Sequence, residues 1–251
     1  MTNSKIVVII PAREESTRLE KKLLLNKTGK PLIVHTVERA LETGFPVYVA
    51  TDSNDISECI YANMDADGKI GTVRTRKNHE NGSSRVLEAA SILDLSPNDI
   101  IINLQGDEPE LPVSTIRRTV GKLKIDKTDR LIATSAFITD DYNEALLSGN
   151  VKVVTNRNRF AMYFSRLAIP THGNWLIHSG VYAYTYNTLW QIINQSFDSR
   201  LQASERLEQL KWLELGIPIY VSLNSTGHVG IDTLEDYNEF CRRYSETQSA
   251  E

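Results

Sequence analysis

Cysteine is scarce: Cys59 and Cys241 are the two in a chain of 251 residues. They lie far apart and in no metal-ligand spacing, which predicts free thiols in a reducing compartment rather than a disulfide framework or a zinc site. Long apolar runs are missing, and none approaches the length that crosses a bilayer. The opening Met1-Thr-Asn-Ser-Lys5 runs straight into a strand-like segment with no signal-peptide pattern, so the expected location is the cytoplasm. A net charge of −4 argues against a general nucleic-acid binder, although a local basic cluster can still serve an anionic small molecule. There is no internal repeat, no low-complexity linker and no clear boundary. The remainder is ordinary, 41% hydrophobic and 24% charged, as expected of a soluble α/β protein with one domain or a domain with a sub-lobe.

What is present is organised around Asp99-Ile-Ile-Ile-Asn-Leu-Gln-Gly-Asp-Glu-Pro109. Ile100 to Asn103 run apolar almost without alternation, which suits a strand buried on both faces of a parallel sheet. Asp107 falls just past the glycine turn, where open α/β sheets place their ligand crevice. It reads equally well as a turn aspartate.

Around this stretch, strand, polar loop and helix alternate. Strands are predicted over 5–10, ended by Pro11, and over 47–50, 69–73, 100–104 and 131–137. Helices are predicted from Pro31 to Gly44, over 54–63, from Ser83 or Ser84 to Ile92, and from Pro112 to about Lys124. That alternation argues for a doubly wound, mostly parallel sheet. The second half is less regular. Strands are predicted over 150–154 and 176–184, joined through 160–166 and Ile169-Pro170. Helices follow over 189–194, over 204–215 with Ser204 as cap, and over 233–244, with a strand over 219–221. One domain spanning 1–251, with a strand-rich excursion at about 150–200, is the economical reading.

Three groups of residues could carry chemistry. Arg13, Ser16, Thr17, Arg18, Lys21 and Lys22 offer forks, hydroxyls and N–H groups suited to a polyphosphate, or form a solvated charged loop. The loop is not of the Gly-x-x-x-x-Gly-Lys-Ser/Thr type. Asp107 could converge with Asp232 on Mg²⁺, although Asp232 reads as well as a helix N-cap. Arg166, His178, Tyr182, Glu208 and Gln209 would together suit a polyhydroxylated anion, with Arg166 and His178 on its carboxylate.

At this point the residues resemble a family. Ile9-Ile-Pro-Ala-Arg13, Ser16-Thr-Arg-Leu19, Gly29-Lys-Pro31, Ala50-Thr-Asp52, Asn103-Leu-Gln-Gly-Asp-Glu-Pro109 and Val151-Lys-Val-Val154 match it in order. So do Ala161-Met-Tyr-Phe-Ser-Arg166, His178, Gly180-Val-Tyr182, Leu207-Glu-Gln-Leu210 and Ile231-Asp-Thr233 with Glu235-Asp236. The chain resembles, nearly end to end, the 3-deoxy-manno-octulosonate (Kdo) cytidylyltransferases, the CMP-Kdo synthetases of lipopolysaccharide assembly. The resemblance implies a nucleotidyltransferase-type fold and a homodimer formed through the excursion, which would also bind the sugar. It implies CTP phosphates on Arg13, Ser16, Arg18 and Lys22, and cytosine near Arg76 and the loop through Gly82. It implies Mg²⁺ on Asp107 and Asp232, with Lys22 joining them as catalytic groups. The sugar acid would lie on Gln105, Arg166, His178, Tyr182, Glu208 and Gln209.

Three departures stand out. Where the family has Pro-Gly-Lys-Pro-Leu, this chain has Glu20-Lys-Lys-Leu-Leu24. Where it has His-Gln-Ser-Gly-Thr-Glu-Arg, this chain has His79-Glu-Asn-Gly-Ser-Ser-Arg85. Between Ile169-Pro170 and His178 the usual longer insertion shrinks to Thr171-His-Gly-Asn-Trp-Leu-Ile177. These changes leave open a different acceptor, such as 8-amino-Kdo or a sialic-type acid, or a non-catalytic nucleotide-binding paralogue.

Overall fold

Short runs rich in valine and isoleucine, each closed by a polar turn, become the strands of the computed structural model, which describes residues 4–14, 19–64, 68–125, 130–224, 227–228 and 230–249. In chain order the elements are β1 (Ile6–Ala12), a 3-10 turn (Lys22–Leu24), α1 (Leu32–Leu41), β2 (Val47–Thr51), α2 (Asn54–Asn63) and β3 (Ile70–Arg74). Then come α3 (Gly82–Ile92), β4 (Ile100–Leu104), α4 (Val113–Ile125), β5 (Ile132–Thr139), α5 (Tyr142–Leu146), β6 (Lys152–Thr155) and β7 (Ala161–Ser165). The last are β8 (Trp175–Thr185), α6 (Tyr186–Ile193), α7 (Arg200–Glu205), α8 (Glu208–Glu214), β9 (Ile219–Asn224) and α9 (Leu234–Gln248). Among the described residues no helix is long and apolar enough to cross a membrane.

The chain forms two compact units. The amino-terminal unit comprises Val7–Asp94, Asn103–Val113 and Val229–Glu251; the central unit comprises Met1–Ile6, Leu95–Ile102 and Ser114–His228. In the amino-terminal unit β1, β2 and β3 are parallel, with Val8 opposite Val47 and Ala12 opposite Thr51, then Val47 opposite Ile70. Pro11 does not end β1 as expected. It lies opposite Ala50 and the strand runs on to Ala12, because proline's fixed φ tolerates extended backbone and removes only a donor.

Helix starts follow local chemistry. Pro31 is the N-cap of α1 rather than its first helical residue. Ser53 caps α2 by accepting from the Ile56 N–H. The cap of α3 is Asn81, not Ser83 or Ser84; Asn81 and Ser84 satisfy each other's backbone N–H in a capping box. Leu32, Ile33, Val34, His35, Thr36, Val37 and Ala40 are buried in α1, and full burial of a leucine, isoleucine or valine side chain stabilises by about 1.5–3 kcal/mol.

The central unit is mixed. β5 is parallel to β9, with Ile132 opposite Ile219, and antiparallel to β8, with Ala133 opposite Ala183. β6 pairs antiparallel with β7, and Lys152 pairs with Ile177 of β8. The excursion is therefore richer in strand than expected: 161–165 is β7, not a connection. The helix predicted over 204–215 is two helices. Ser199 caps α7, Ser204 lies inside it, and Arg206 breaks the run at φ 56° before α8 starts at Glu208. The shortened 171–177 segment closes on itself, with the Trp175 indole donating to the Pro170 carbonyl at 2.7 Å. Trp175 then packs with Phe137, Ala145 and Ile177.

Candidate active site

The amino-terminal unit gathers its charged residues around a cavity of ≈ 270 Å³, lined among others by Arg13, Lys22, Gly82, Arg85, Gln105, Asp107 and Asp232. Three local structures build it. The 3-10 turn supplies Lys22, the glycine turn after β4 supplies Gln105 and Asp107, and the residues before α9 supply Asp232. Asp232 is not the cap of α9. Thr233 is, in a capping box with Asp236, which leaves the Asp232 carboxylate to the cavity.

Lys22 joins the two aspartates. Its ammonium donates to Asp107 Oδ2 at 2.6 Å, to Asp232 Oδ1 at 3.2 Å and to the Ile231 carbonyl at 2.6 Å. The lysine is nearly buried, 8% exposed, and a buried ammonium requires such partners. Loss of water pushes the Asp107 carboxyl above the ordinary aspartate value, against the pull of Lys22 and with help from the nearby Glu108 and Asp232. A cation is thus already seated on three oxygens.

No group of three or more His, Cys, Asp or Glu side chains that could hold a metal occurs among the described residues. Two converging carboxylates are nonetheless the donor set that Mg²⁺ takes when substrate phosphates complete its shell. The residues fit the ion.

Close packing sets the turn. A Cβ on Gly106 would lie 3.2 Å from Ile33 Cδ1 and 3.3 Å from Leu23 Cδ2. Beside it, Arg85 is a residue that the sequence reading left without a role. Its Nη1 stands 2.9 Å from Asp52 Oδ1, both side chains being almost fully buried. It also donates to Thr75 Oγ1 at 2.6 Å and to the carbonyls of Arg76 and Lys77. Arg85 therefore pins the 75–77 segment. The matching arginine in the family pattern was the available signal, but on a helix it reads as a solvated charge. Arg76 itself pairs with Glu88 at 3.0 Å, has a largely exposed side chain and is not among the residues lining the cavity. Ser16 and Arg18 lie outside the described residues.

The central unit holds a second group. His178 and Tyr182 are four positions apart on β8, a spacing of about 13 Å along a regular strand, yet their ring centroids are 5.2 Å apart. The cause is a bulge. Thr134 pairs with Tyr182 and Ser135 with Ser179, so Gly180 and Val181 are extra, and bulges of this kind re-aim side chains. Tyr182 packs edge-on against Trp212 of α8, and Gln209 is buried on the same helix. Removal from water, reinforced by Glu208, raises the Tyr182 hydroxyl well above its ordinary value. Arg166 donates its Nε to the Glu205 carbonyl at 3.1 Å and its Nη1 to the Ser148 carbonyl at 2.9 Å. Fully buried Lys152 grips the Arg166 carbonyl at 2.6 Å.

The sequence model of the cytidylyltransferase family matches residues 7–222. The 3-deoxy-manno-octulosonate cytidylyltransferase of Herminiimonas arsenicoxydans is 39% identical over 247 residues, covering 91% of this chain and 94% of its own. That of Lawsonia intracellularis is 38% identical over 236 residues, covering 91% and 89%. The chain belongs to the 3-deoxy-manno-octulosonate cytidylyltransferase family. A solved CMP:2-keto-3-deoxy-manno-octonic acid synthetase in complex with CTP is similar in structure, with a TM-score of 0.87 and 33% identity over 97% of this chain and 100% of that one.

Within this family, two of the departures are absorbed locally. Lys21 stands where the pattern has glycine and adopts the left-handed conformation, φ 47° and ψ 32°, at a cost of roughly 1–2 kcal/mol for a side-chain-bearing residue. The backbone keeps its turn. In the 79–85 loop the pattern's Ser and Glu, spaced as a capping box, are replaced by Asn81 and Ser84, which form one too.

Proposed function

We propose that the protein transfers cytidylyl from CTP to Kdo, giving CMP-Kdo and pyrophosphate for lipopolysaccharide synthesis. The observation that carries this reading is the convergence of Lys22, Asp107 and Asp232 in a chain of this family. In this reading Arg13, Ser16, Arg18 and Lys22 hold the triphosphate, and Arg76 and the loop through Gly82 surround the cytosine. Gln105, Arg166, His178, Tyr182, Glu208 and Gln209 take the sugar acid. The anomeric hydroxyl attacks the α-phosphorus in line, the bond to the bridging oxygen of the pyrophosphate breaks, and pyrophosphate leaves.

The protein's part is positioning and charge neutralisation. Asp107 and Asp232 would hold Mg²⁺, which when bound neutralises phosphate charge and acidifies a hydroxyl. Lys22, held beside both carboxylates, would supply positive charge to the phosphates. Arg166 favours a carboxylate over a neutral sugar, whose binding would leave its remaining donors unpaired. A cytoplasmic homodimer assembled through β6, β7 and β8 completes the proposal.

Pyrophosphate release with CTP and Mg²⁺ against Kdo, 8-amino-Kdo and N-acetylneuraminate tests it. Release with Kdo is expected. The shortened 171–177 segment favours the second reading, in which another acid is the acceptor, and release with that acid alone would establish it. Binding of CTP without release from any acid would instead mark a non-catalytic paralogue.

A further inference from the structure

His79 stands in the wall of the amino-terminal cavity, its side chain 6% exposed, and both of its ring nitrogens are bonded. Nε2 lies 2.5 Å from Glu88 Oε2, and Nδ1 lies 3.2 Å from Ser84 Oγ. The Ser84 hydroxyl donates its one proton to the Asn81 carbonyl at 2.8 Å, so toward the ring it can only accept. Glu88 accepts as well, at Oε2 from the Arg76 N–H and at Oε1 from Arg76 Nε, each at 3.0 Å. Burial would raise the Glu88 carboxyl, but the bonds from Arg76 and His79 outweigh it and hold the group below the ordinary glutamate value. An acceptor at each nitrogen requires a proton on both. The ring in this arrangement is an imidazolium.

One ring thereby ties the 76–84 segment across itself. Glu88 of α3 takes the segment's first residue, Arg76, and its middle, His79; the ring carries the link on to Ser84 and the Asn81 cap. The charged groups on the elements around the ring are Glu88 and Arg85 of α3, Arg76, Lys77 and Glu80 of its own loop, Arg13 after β1 and Asp52 after β2. Asp52 is paired with Arg85, and Glu88 is the anion bonded to the ring. A neutral imidazole donates from one nitrogen only, so loss of a proton breaks one of the two links.

We propose that His79 and Glu88 are positioning residues for the nucleotide: the protonated ring, braced on Glu88 and Ser84, holds the 76–84 loop in the form that receives CTP. The pair acts through the loop and takes no part in the transfer. Lys22, Asp107 and Asp232 come from other elements, so the device governs KM for CTP and leaves kcat to them. This rests on the reading of the amino-terminal cavity as the CTP site.

The test begins with the unmodified enzyme, so it does not depend on a variant that folds. KM for CTP should climb about 10-fold over the pH range in which nitrogen NMR of 15N-histidine-labelled protein shows His79 losing its second proton, while kcat stays within about 3-fold. His79→Gln, which also assigns the His79 signals by their loss, keeps one donor for Glu88 and does not titrate, so it should show the raised KM at every pH. His79→Lys keeps a charge without the two-sided bridge and should be raised as much. In both variants amide exchange over 76–84, measured without CTP, should be faster than in the unmodified protein at the same pH. A His79→Lys enzyme with the original KM would reduce the ring to a plain charge and overturn the proposal. A KM flat across the His79 titration, or unchanged exchange over 76–84, would overturn it too. Calorimetry of CTP binding to the unmodified enzyme checks the nucleotide reading separately: no binding would end that reading, and the exchange comparison would still decide whether the pair holds the loop.

Discussion

The two units handle polarity in opposite ways. The amino-terminal unit concentrates charge: Lys22 stands among Asp107, Asp232 and the Ile231 carbonyl, and Arg85 faces Asp52 in the interior. The central unit's candidate group mixes neutral and charged side chains held by fixed partners. His178 shares a proton with Thr134, Tyr182 packs on Trp212, and Lys152 and Arg166 spend donors on main-chain carbonyls. Each arrangement suits a different ligand. Alternating charges can be redistributed when a polyanion and its cation arrive, whereas an aromatic-backed group with fixed donors and acceptors suits discrimination among polar ligands. Under the proposed function, charge neutralisation falls to one unit and recognition of the acid largely to the other.

The largest test of this contrast is Asp52→Asn. It leaves the Arg85 guanidinium buried beside a neutral amide, which costs roughly 3 kcal/mol of stability. Denaturant unfolding would read the loss. A midpoint unmoved by the substitution would mean that buried charge does not hold the amino-terminal unit together. Next comes Arg166→Met in the central unit. Losing one charge-assisted contact to a carboxylate of about 2 kcal/mol should raise KM for Kdo by about 30-fold. KM for CTP should stay near its original value. An equal rise in both constants would erase the division of labour.

The smallest effect is expected of Lys21→Gly. It relieves the left-handed conformation at 21 and restores the freedom of the unfolded chain, so stability should rise by no more than about 1 kcal/mol. The exposed pairs of Lys21 with Asp55 and Glu14 contribute little against this. A clear loss of stability would show that the turn is held by the lysine rather than tolerated by it.

Much of the fold could be read from local pattern. α2 and β4 have the expected bounds, 54–63 and 100–104, because a capped amphipathic run and a nearly continuous apolar run are short-range signals. Asp107 was visible for the same reason, as a carboxylate after a glycine turn. Features set by distant chain were not. Asp232 and Thr233 compete locally for the cap, and only the return of the chain to Lys22 separates them. The break at Arg206 carries no glycine, so 204–215 reads as one helix and the cap at Ser199 is missed. Nothing but Gly180 hints at the bulge that joins His178 to Tyr182. Arg85 looks solvated until Asp52, from the end of another strand, is placed beside it.

The pH dependence of turnover, compared between the unmodified enzyme and Asp107→Asn with CTP, Kdo and Mg²⁺, is the most direct measurement. Burial raises the Asp107 carboxyl, so its ionised form costs the folded state stability that is fully present below the unfolded value and is lost as pH rises through the raised folded value. A protonated Asp107 cannot hold a cation. Activity should therefore be full where Asp107 is ionised and fall on the acid side as the carboxyl takes up a proton. Asp107→Asn should lose roughly 10³-fold in turnover at every pH and lose that limb, while Lys22 keeps Asp232 and the Ile231 carbonyl as partners and the protein stays folded. Near-normal turnover in Asp107→Asn, with the acid limb still in place, would contradict the assignment of Lys22, Asp107 and Asp232 as the reacting centre.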